Sequence, residues 1–476
     1  MPICTAGAPR LRASFFALTA ALGLVGCGGD GSNTPTPSPA PPPSNSAPQF
    51  TSGASVSLAE NSTGAFYTAS ASDADGDSLT FSISGGADAT HFALGGAELS
   101  FVDGPNFDLF GDDNADNTYE VQLQVTDGRG GTATQNLRIA VTNSTEGIRV
   151  TRLGTPFNDP VSVSAYIGNQ RIMVAERAGL VWSVNVNDGS RTLLRDLNLA
   201  PGRELLDVAG IGSNSTPQEP AALVRDGTGI YLLALGGTPA VEVKVADGPP
   251  MGATATLAYT KSSELGGSDQ VVIAVGDPGG NRVQGGSGYG KIFILRAPGP
   301  SMTTSDLVLI GSGVQQPTRI FDFIGGPLIA DAGQTVEHEL SQLVSRTPVN
   351  LGWPFFEGDT RVRGGGPNDP VAPSVTYNFG SERFEGVKIT GGLYYEEFAF
   401  ERSRIDSLRD RVLFADANGS IFTIGLDFDP STFEDRTQDF IPVSGEIGRI
   451  VAMAEDFDRV LLILDEDGEL FRVDPD

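Results

Sequence analysis

The chain has 476 residues, with 31 Lys and Arg against 59 Asp and Glu, a formal net charge of −28 and a pI near 4.3. That balance excludes a nucleic-acid clamp, which works through a basic footprint, and equally a basic membrane-surface helix. The only histidines are His91 and His338 and the only cysteines Cys4 and Cys27, so no disulfide or thiolate zinc site can form in the body of the chain.

Residues 1–26 carry Arg10 and Arg12, then an apolar run from Ala13 to Gly26. This pattern predicts an export signal, because about 14 apolar residues fall short of the roughly 20 that span a bilayer. Leu24-Val25-Gly26-Cys27 resembles the lipobox of bacterial lipoproteins. The resemblance implies acylation of Cys27, anchorage to a lipid bilayer and a place in the bacterial cell envelope, on the outer membrane because Gly28 stands where a retention Asp would. Residues 27–47 then form a Pro-rich tether, whose extended form reaches roughly 60 Å.

Residues 48–145 alternate apolar and polar side chains, as in Tyr119-Glu-Val121-Gln-Leu123-Gln-Val125. Such strands, separated by Gly, Asp and Asn turns, predict an antiparallel sandwich. Between Pro48 and Glu146 there are 14 acidic and 2 basic residues, 14 − 2 = 12 excess negative charges. The series Ala59-Glu60-Asn61, Asp73-Ala-Asp75-Gly-Asp77, Asn106-Phe-Asp108, Asp116-Asn-Thr-Tyr-Glu-Val and Thr126-Asp127-Gly128 resembles a cadherin-like, Ig-type repeat. The resemblance implies calcium held by Glu60, Asp73 or Asp75, and Asp108, with Asp116 and Asp127 as further ligands. Calcium takes six to eight hard oxygens, which these loops supply. The Asp-rich linker of cadherins is missing at both ends, and solubilising surface acids are the alternative reading.

Residues 147–476 repeat an apolar strand, an acid and a glycine six times. The acids are Glu176, Asp226, Asp277, Asp331, Asp416 and Glu466, at intervals of 50, 51, 54, 85 and 50 residues. Second strands follow several of them, as in Leu180-Val-Trp-Ser-Val184 and Leu470-Phe-Arg-Val473. Hairpins at a period of about 50 predict a six-bladed β-propeller, with an insertion in the long interval and Ile148–Leu153 closing the ring.

Asp331-Ala-Gly333, Glu337-His-Glu339-Leu, Asn350-Leu-Gly-Trp353-Pro and Thr390-Gly-Gly-Leu-Tyr stand in an order that resembles the soluble quinoprotein glucose/sorbosone (aldose sugar) dehydrogenases. The resemblance implies a central pyrroloquinoline quinone, calcium near Asp331, Glu337 and Glu339, Arg or Lys on the quinone, and a His base that oxidises a sugar. Glu264-Leu265 replaces the family's His-Asn, which leaves Glu264 as candidate base, and Gln315-Gln316-Pro317 replaces Arg-Asn-Pro, so that quinone clamp is lost. Gln315 and Trp353 occupy the family's cofactor positions.

Three functions follow: a propeller that binds a sugar, glycan or envelope protein after losing its base, a sugar dehydrogenase using Glu264, or a scaffold with no small-molecule site. Cations lining the central cleft would separate the first two. His338 is expected on the surface or in a turn, and Trp353 as a packing anchor.

Overall fold

The computed structural model describes residues 44–476 except 110, 167–169, 211–219, 236–240, 251, 261–264, 266–269, 281–285, 297–301, 345–346, 367–369, 396–403 and 457. The signal segment, Cys27, most of the tether and the candidate base Glu264 lie outside these residues. The described residues form strands and short 3-10 turns, and no helix among them is long and apolar enough to cross a membrane.

The N-terminal domain is a two-sheet sandwich. One sheet has the order Ser55–Ala59, Thr132–Thr142, Thr118–Thr126, Thr80–Gly85; the other joins Ala65–Thr68, Glu98–Phe101 and Phe92–Gly95. Side chains alternate across a strand, so Tyr119, Val121, Leu123 and Val125 all point inward and are buried with Leu137, Ile139 and Leu99. Ser55–Ala59 runs parallel to Thr132–Thr142, from Ser55↔Arg138 to Ala59↔Thr142, which carries Glu60 to the end of the sandwich.

Residues 148–476 build six radial sheets of four main strands. Their innermost strands are Pro160–Ala165 in blade 1, Glu204–Ala209 in blade 2, Ala255–Thr260 in blade 3, Pro317–Phe321 in blade 4, Ile389–Tyr395 in blade 5 and Ile450–Glu455 in blade 6. Each touches the next, and the last touches the first, so the ring is closed around a central channel. Ile148–Leu153 pairs antiparallel with Leu470–Pro475, from Ile148↔Pro475 to Leu153↔Leu470. The start of the domain thus completes blade 6 beside its end, as the sequence predicts. Buried residues of adjoining blades merge into continuous cores, for example Leu153 and Val174 with Leu462 and Leu464.

In three blades the repeated acid ties the blade together. Glu176 accepts the amide of Asn158, Asp331 those of Gln315 and Gln316, and Asp416 those of Val387 and Lys388. Each carboxylate thereby fixes the loop that enters its own inner strand. In the last blade Asp465, rather than the expected Glu466, takes this role on Gly448, while Glu466 is exposed and paired with Arg449.

The long interval is an excursion within blade 4. After Glu337–Gln342 the chain adds Val349–Asn350 to the edge of blade 3, makes a hairpin of Phe356–Glu357 and Thr360–Arg361, and returns as Val375–Asn378 beside Glu337–Gln342. Trp353 anchors it, donating Nε1–H to Asp277 O at 2.7 Å.

Candidate functional site

The insertion and the inner end of blade 4 enclose four carboxylates. Asp331 and Glu339 face each other in register across neighbouring strands. Strand alternation puts Glu337 and Glu339 on one side and His338 on the other. Glu357 arrives from the inserted hairpin, held by the amides of Gln334, Thr335 and Val336 and by the Gln315 side chain at 2.9 Å. Together with Trp353 these residues line a cavity of about 10 Å³, roughly the space a single small species needs. Two glycines make room: a Cβ at Gly333 would lie 1.7 Å from Glu337 O, and one at Gly358 2.3 Å from Glu337 Oε2.

No cationic side chain lines this cavity among the described residues. Burial pushes Asp331 up to about 7, against the amides of Gln315 and Gln316, with Glu357 adding repulsion. Burial, then Asp331, drives Glu339 well above the carboxylate range. Burial also acts to raise Glu357, but its donors outweigh it and hold the group low. Donors already offset that repulsion: Asp331 accepts the Gln315 and Gln316 amides, Glu339 the Ser341 hydroxyl and the Gly358 amide, and Glu337 the Asp359 amide. The structure therefore brings Asp331, Glu337, Glu339, Gln315 and Trp353 into one place, and adds Glu357, which the sequence reading missed because it arrives on the insertion.

His338 is fully buried, a correction to its expected surface position. Its Nε2 lies 3.1 Å from Gly386 O and its ring 4.8 Å from that of Tyr377. Burial holds its pKa below the usual value. The ring packs against Tyr377 and Phe379, on the opposite side of the strand from Glu337 and Glu339.

The channel mouth on the side where the inner strands begin is a cavity of about 390 Å³, lined by Arg177, Arg225, Lys388 and Arg449 against Asp159 and Glu466. Three of the cations pair at its margin, Arg177 with Asp159 at 2.9 Å, Arg225 with Glu204 at 2.6 Å and Arg449 with Glu466 at 3.1 Å. Lys388 has no ion pair among the described residues. Burial, then repulsion from Arg177 and Arg449, makes its ammonium easier to deprotonate. Gln315 faces the acid cavity and supplies no charge here, yet cations line the cleft. Gln315 thus carries no cation at the motif position, and the cations at the mouth come from four other blade positions. Lys388 and Arg449 each directly precede an inner strand, the one sequence signal that could have found them.

At the junction of the two domains, oxygens of Glu60, Asp108 and Glu146 can converge on one ion. The sequence expected no linker carboxylate, and Glu146 supplies one. The propeller sends Arg436, 1% exposed, into this cluster. Its guanidinium lies 3.2 Å from Asp108 and 2.6 Å from Glu146, and also contacts Asp439. Asn143 donates to Asp439 Oδ1 at 2.9 Å, and Arg383 donates to Phe107 O at 2.7 Å. Both oxygens of Asp108, with Asn117 Oδ1 and Asn143 Oδ1, are buried without a hydrogen-bond partner.

Asp73, Asp75 and Asp77 form a second group of converging oxygens. Asp73 Oδ1 already accepts the amides of Asp75 and Asp77, while Oδ2 is buried without a partner. Asp116 and Asp127 stand apart from both groups. Asp116 caps Thr118 N, and Asp127 closes a hairpin turn through Arg129 N and Gly131 N while accepting Asn45 Nδ2–H. These donors, the Arg129 amide first, hold Asp127 below its usual pKa.

Comparison with known proteins divides the chain the same way. Residues 45–140 match the bacterial Ig domain. No curated protein matches. The fold is similar to the aldose sugar dehydrogenase of Streptomyces coelicolor in its PQQ-bound form, at 16% identity and a TM-score of 0.48, over 69% of this chain and 98% of that one. The apo-form of the Escherichia coli soluble aldose sugar dehydrogenase gives 14%, 0.49, and 69% and 100% coverage. A Trichoderma reesei carbohydrate-active enzyme, solved with calcium, gives 14%, 0.47, and 69% and 96%. The propeller assignment rests on the strand pairing of this chain.

Proposed function

We propose that this is a lipid-anchored envelope protein whose propeller binds a small anionic ligand at the ring's centre, steadied by calcium in blade 4 and at the Ig-domain junction. The observation that carries the reading is the ring of four cations around a mouth of about 390 Å³, in a chain of net charge −28. Three of these cations are paired with carboxylates, so the mouth carries an excess of 4 − 3 = 1 positive charge, at Lys388, and that local excess in an acidic surface favours anions.

Planar guanidinium groups hold carboxylates by two parallel hydrogen bonds, while Lys388 acts as a point charge that can follow the ligand. A compact polycarboxylate meets the four cations better than a neutral sugar does. Pyrroloquinoline quinone, the cofactor that the motif resemblance implies, belongs to that class, and bound there it would supply two-electron oxidation of an aldose carbon. Arg177, Arg225, Lys388 and Arg449 would hold its carboxylates. Asp331, Glu339 and Glu357 would be the ligands of a calcium in blade 4, in an ion-sized cavity where the ion would have to displace the donors these carboxylates already hold. Cys27 would carry the acyl chains and the tether would hold both domains clear of the membrane.

The dehydrogenase reading is the alternative, favoured by the same cations. It requires a base, and His338 is excluded by its burial; Glu264 remains the candidate. The test is calorimetric titration of the protein with pyrroloquinoline quinone in calcium, followed by dye-linked oxidation of an aldose panel. Micromolar binding lost in Lys388→Gln supports the anion site. Turnover that disappears in Glu264→Gln would make the protein an enzyme. Absence of quinone binding in wild type removes the quinone, and absence of binding by any polycarboxylate removes the anion site.

A further inference from the structure

Arg319 divides the central channel into two chambers. It lies on the inner strand of blade 4, Pro317–Phe321, and its Nη2 donates to Val163 O at 2.9 Å on the inner strand of blade 1, diametrically across the ring. Above this crossbar is the cation-lined mouth. Below it a larger chamber of about 490 Å³ opens on the opposite face, within the ~300–1,000 Å³ range of small-molecule sites.

The lower chamber is electrically graded along its axis. At its floor the Arg319 guanidinium has no ion pair among the described residues, and its Nε is buried without a partner. Asp207 lies near enough to favour the charge. Its oxygens, however, are already taken by Ser162 Oγ at 2.5 Å, Thr256 Oγ1 at 2.7 Å and the Leu257 amide at 3.0 Å. The walls above the floor are apolar, with Leu257, Phe321, Leu393 and Met453. Among the described residues Asp322, Glu455, Asp456 and Arg459 stand at the opening, and Arg459 pairs with Glu455 at 2.8 Å. Asp456 is 3% exposed; its Oδ1 accepts two amides and its Oδ2 has no hydrogen-bond partner.

A guanidinium removed from water without a counter-ion is costly, and a ligand carboxylate offsets that cost with two directional hydrogen bonds. The buried, partnerless Oδ2 of Asp456 at the opening favours a cation there. Asp322 follows Arg319 by three residues, about 10 Å at ~3.3 Å per residue. We propose that the lower chamber binds a small zwitterion with separated ends, an ω-amino acid or short peptide, its carboxylate on Arg319 and its ammonium on Asp456. The upper mouth, by contrast, suits anions alone. The two sites are chemically distinct and separated by the crossbar, so this inference stands apart from the quinone reading.

The test is calorimetric titration of the full-length protein with 6-aminohexanoate, hexanoate and hexylamine. The zwitterion should bind about 10-fold tighter than either single-ended analogue, the loss expected for one charged hydrogen bond. Arg319→Gln should abolish binding of both carboxylates. If that variant melts early, Asp456→Asn provides the second arm, weakening 6-aminohexanoate while leaving hexanoate unchanged. Lys388→Gln, on the other mouth, should leave 6-aminohexanoate binding as it is. Equal affinities for the three probes, no binding at 10 mM (about 100 times the ~0.1 mM of a weak specific site), or loss of binding in Lys388→Gln would overturn the proposal.

Discussion

Raising the pH from 6 to 8 in the presence of a chelator should destabilise this protein, and calcium should remove the effect. The group responsible is Asp108. Burial pushes its carboxyl up to about 8 from 3.8; Asp439, Glu60 and Glu146 add to that and Arg436 opposes it. The folded pKa lies above the unfolded one, so between these values the folded state holds a proton that the unfolded chain has released. Stability must then fall as pH rises through the window, and the loss is complete above the folded pKa. Integrating the folded-state proton occupancy from pH 6 to 8 at about 1.4 kcal/mol per unit gives a loss of about 2 kcal/mol.

Asp331, pushed up to about 7 by burial, adds in the same direction, so the assay needs a difference. Urea denaturation of wild type and Asp108→Asn at pH 6, 7 and 8, each with chelator and with calcium, isolates the junction. In chelator the variant should lose about 2 kcal/mol less than wild type across that range. With calcium bound the carboxylate is held ionised in both ranges of pH, and the two proteins should run parallel. Equal slopes for wild type and Asp108→Asn in chelator would refute the charge argument; a wild-type slope indifferent to calcium would refute the ion.

Arg436→Met should cost about 3–5 kcal/mol, as removal of one partner from a buried ion cluster does, read as a lower urea midpoint for separation of the two domains. Leu123→Ala, in the packed centre of the Ig domain, should cost about 2–5 kcal/mol, measured by near-ultraviolet melting. Cys27→Ser should move the protein from the membrane to the soluble fraction and abolish incorporation of labelled palmitate. A Cys27→Ser protein that stays membrane-bound would leave the anchor elsewhere.

Local periodicity made most of the fold readable. A period of two placed Tyr119, Val121, Leu123 and Val125 in one core, and the acid after each hairpin's first strand marked six blades before any contact was known. The reason is physical: in Glu176, Asp331 and Asp416 the acid accepts the amides of the loop entering its own blade, so the fold itself demands the repeat. Where turn geometry decides instead, the pattern misleads by one residue, as with Asp465 and Glu466. The carboxylates of blade 4 were also visible in part, since Asp331, Glu337 and Glu339 lie close in sequence.

What sequence order hides is whatever the ring brings together from afar. Arg177, Arg225, Lys388 and Arg449 belong to different blades, so no local motif groups them. Arg319 meets Val163 across 156 residues, and Arg436 reaches Asp108 from the far end of the chain. In each case a single cation resolves, or leaves unresolved, a buried charge whose partners only the closed ring defines. The overall charge of −28 therefore says little about any one site: acids gather at the junction and in blade 4, and cations line the upper mouth and the channel waist. In the proposed reading, an acidic surface with one cation-lined opening would discriminate by exclusion as well as by attraction. Raising the ionic strength should accordingly weaken ligand capture at the upper mouth more than at the enclosed lower chamber, because screening acts first on exposed charges.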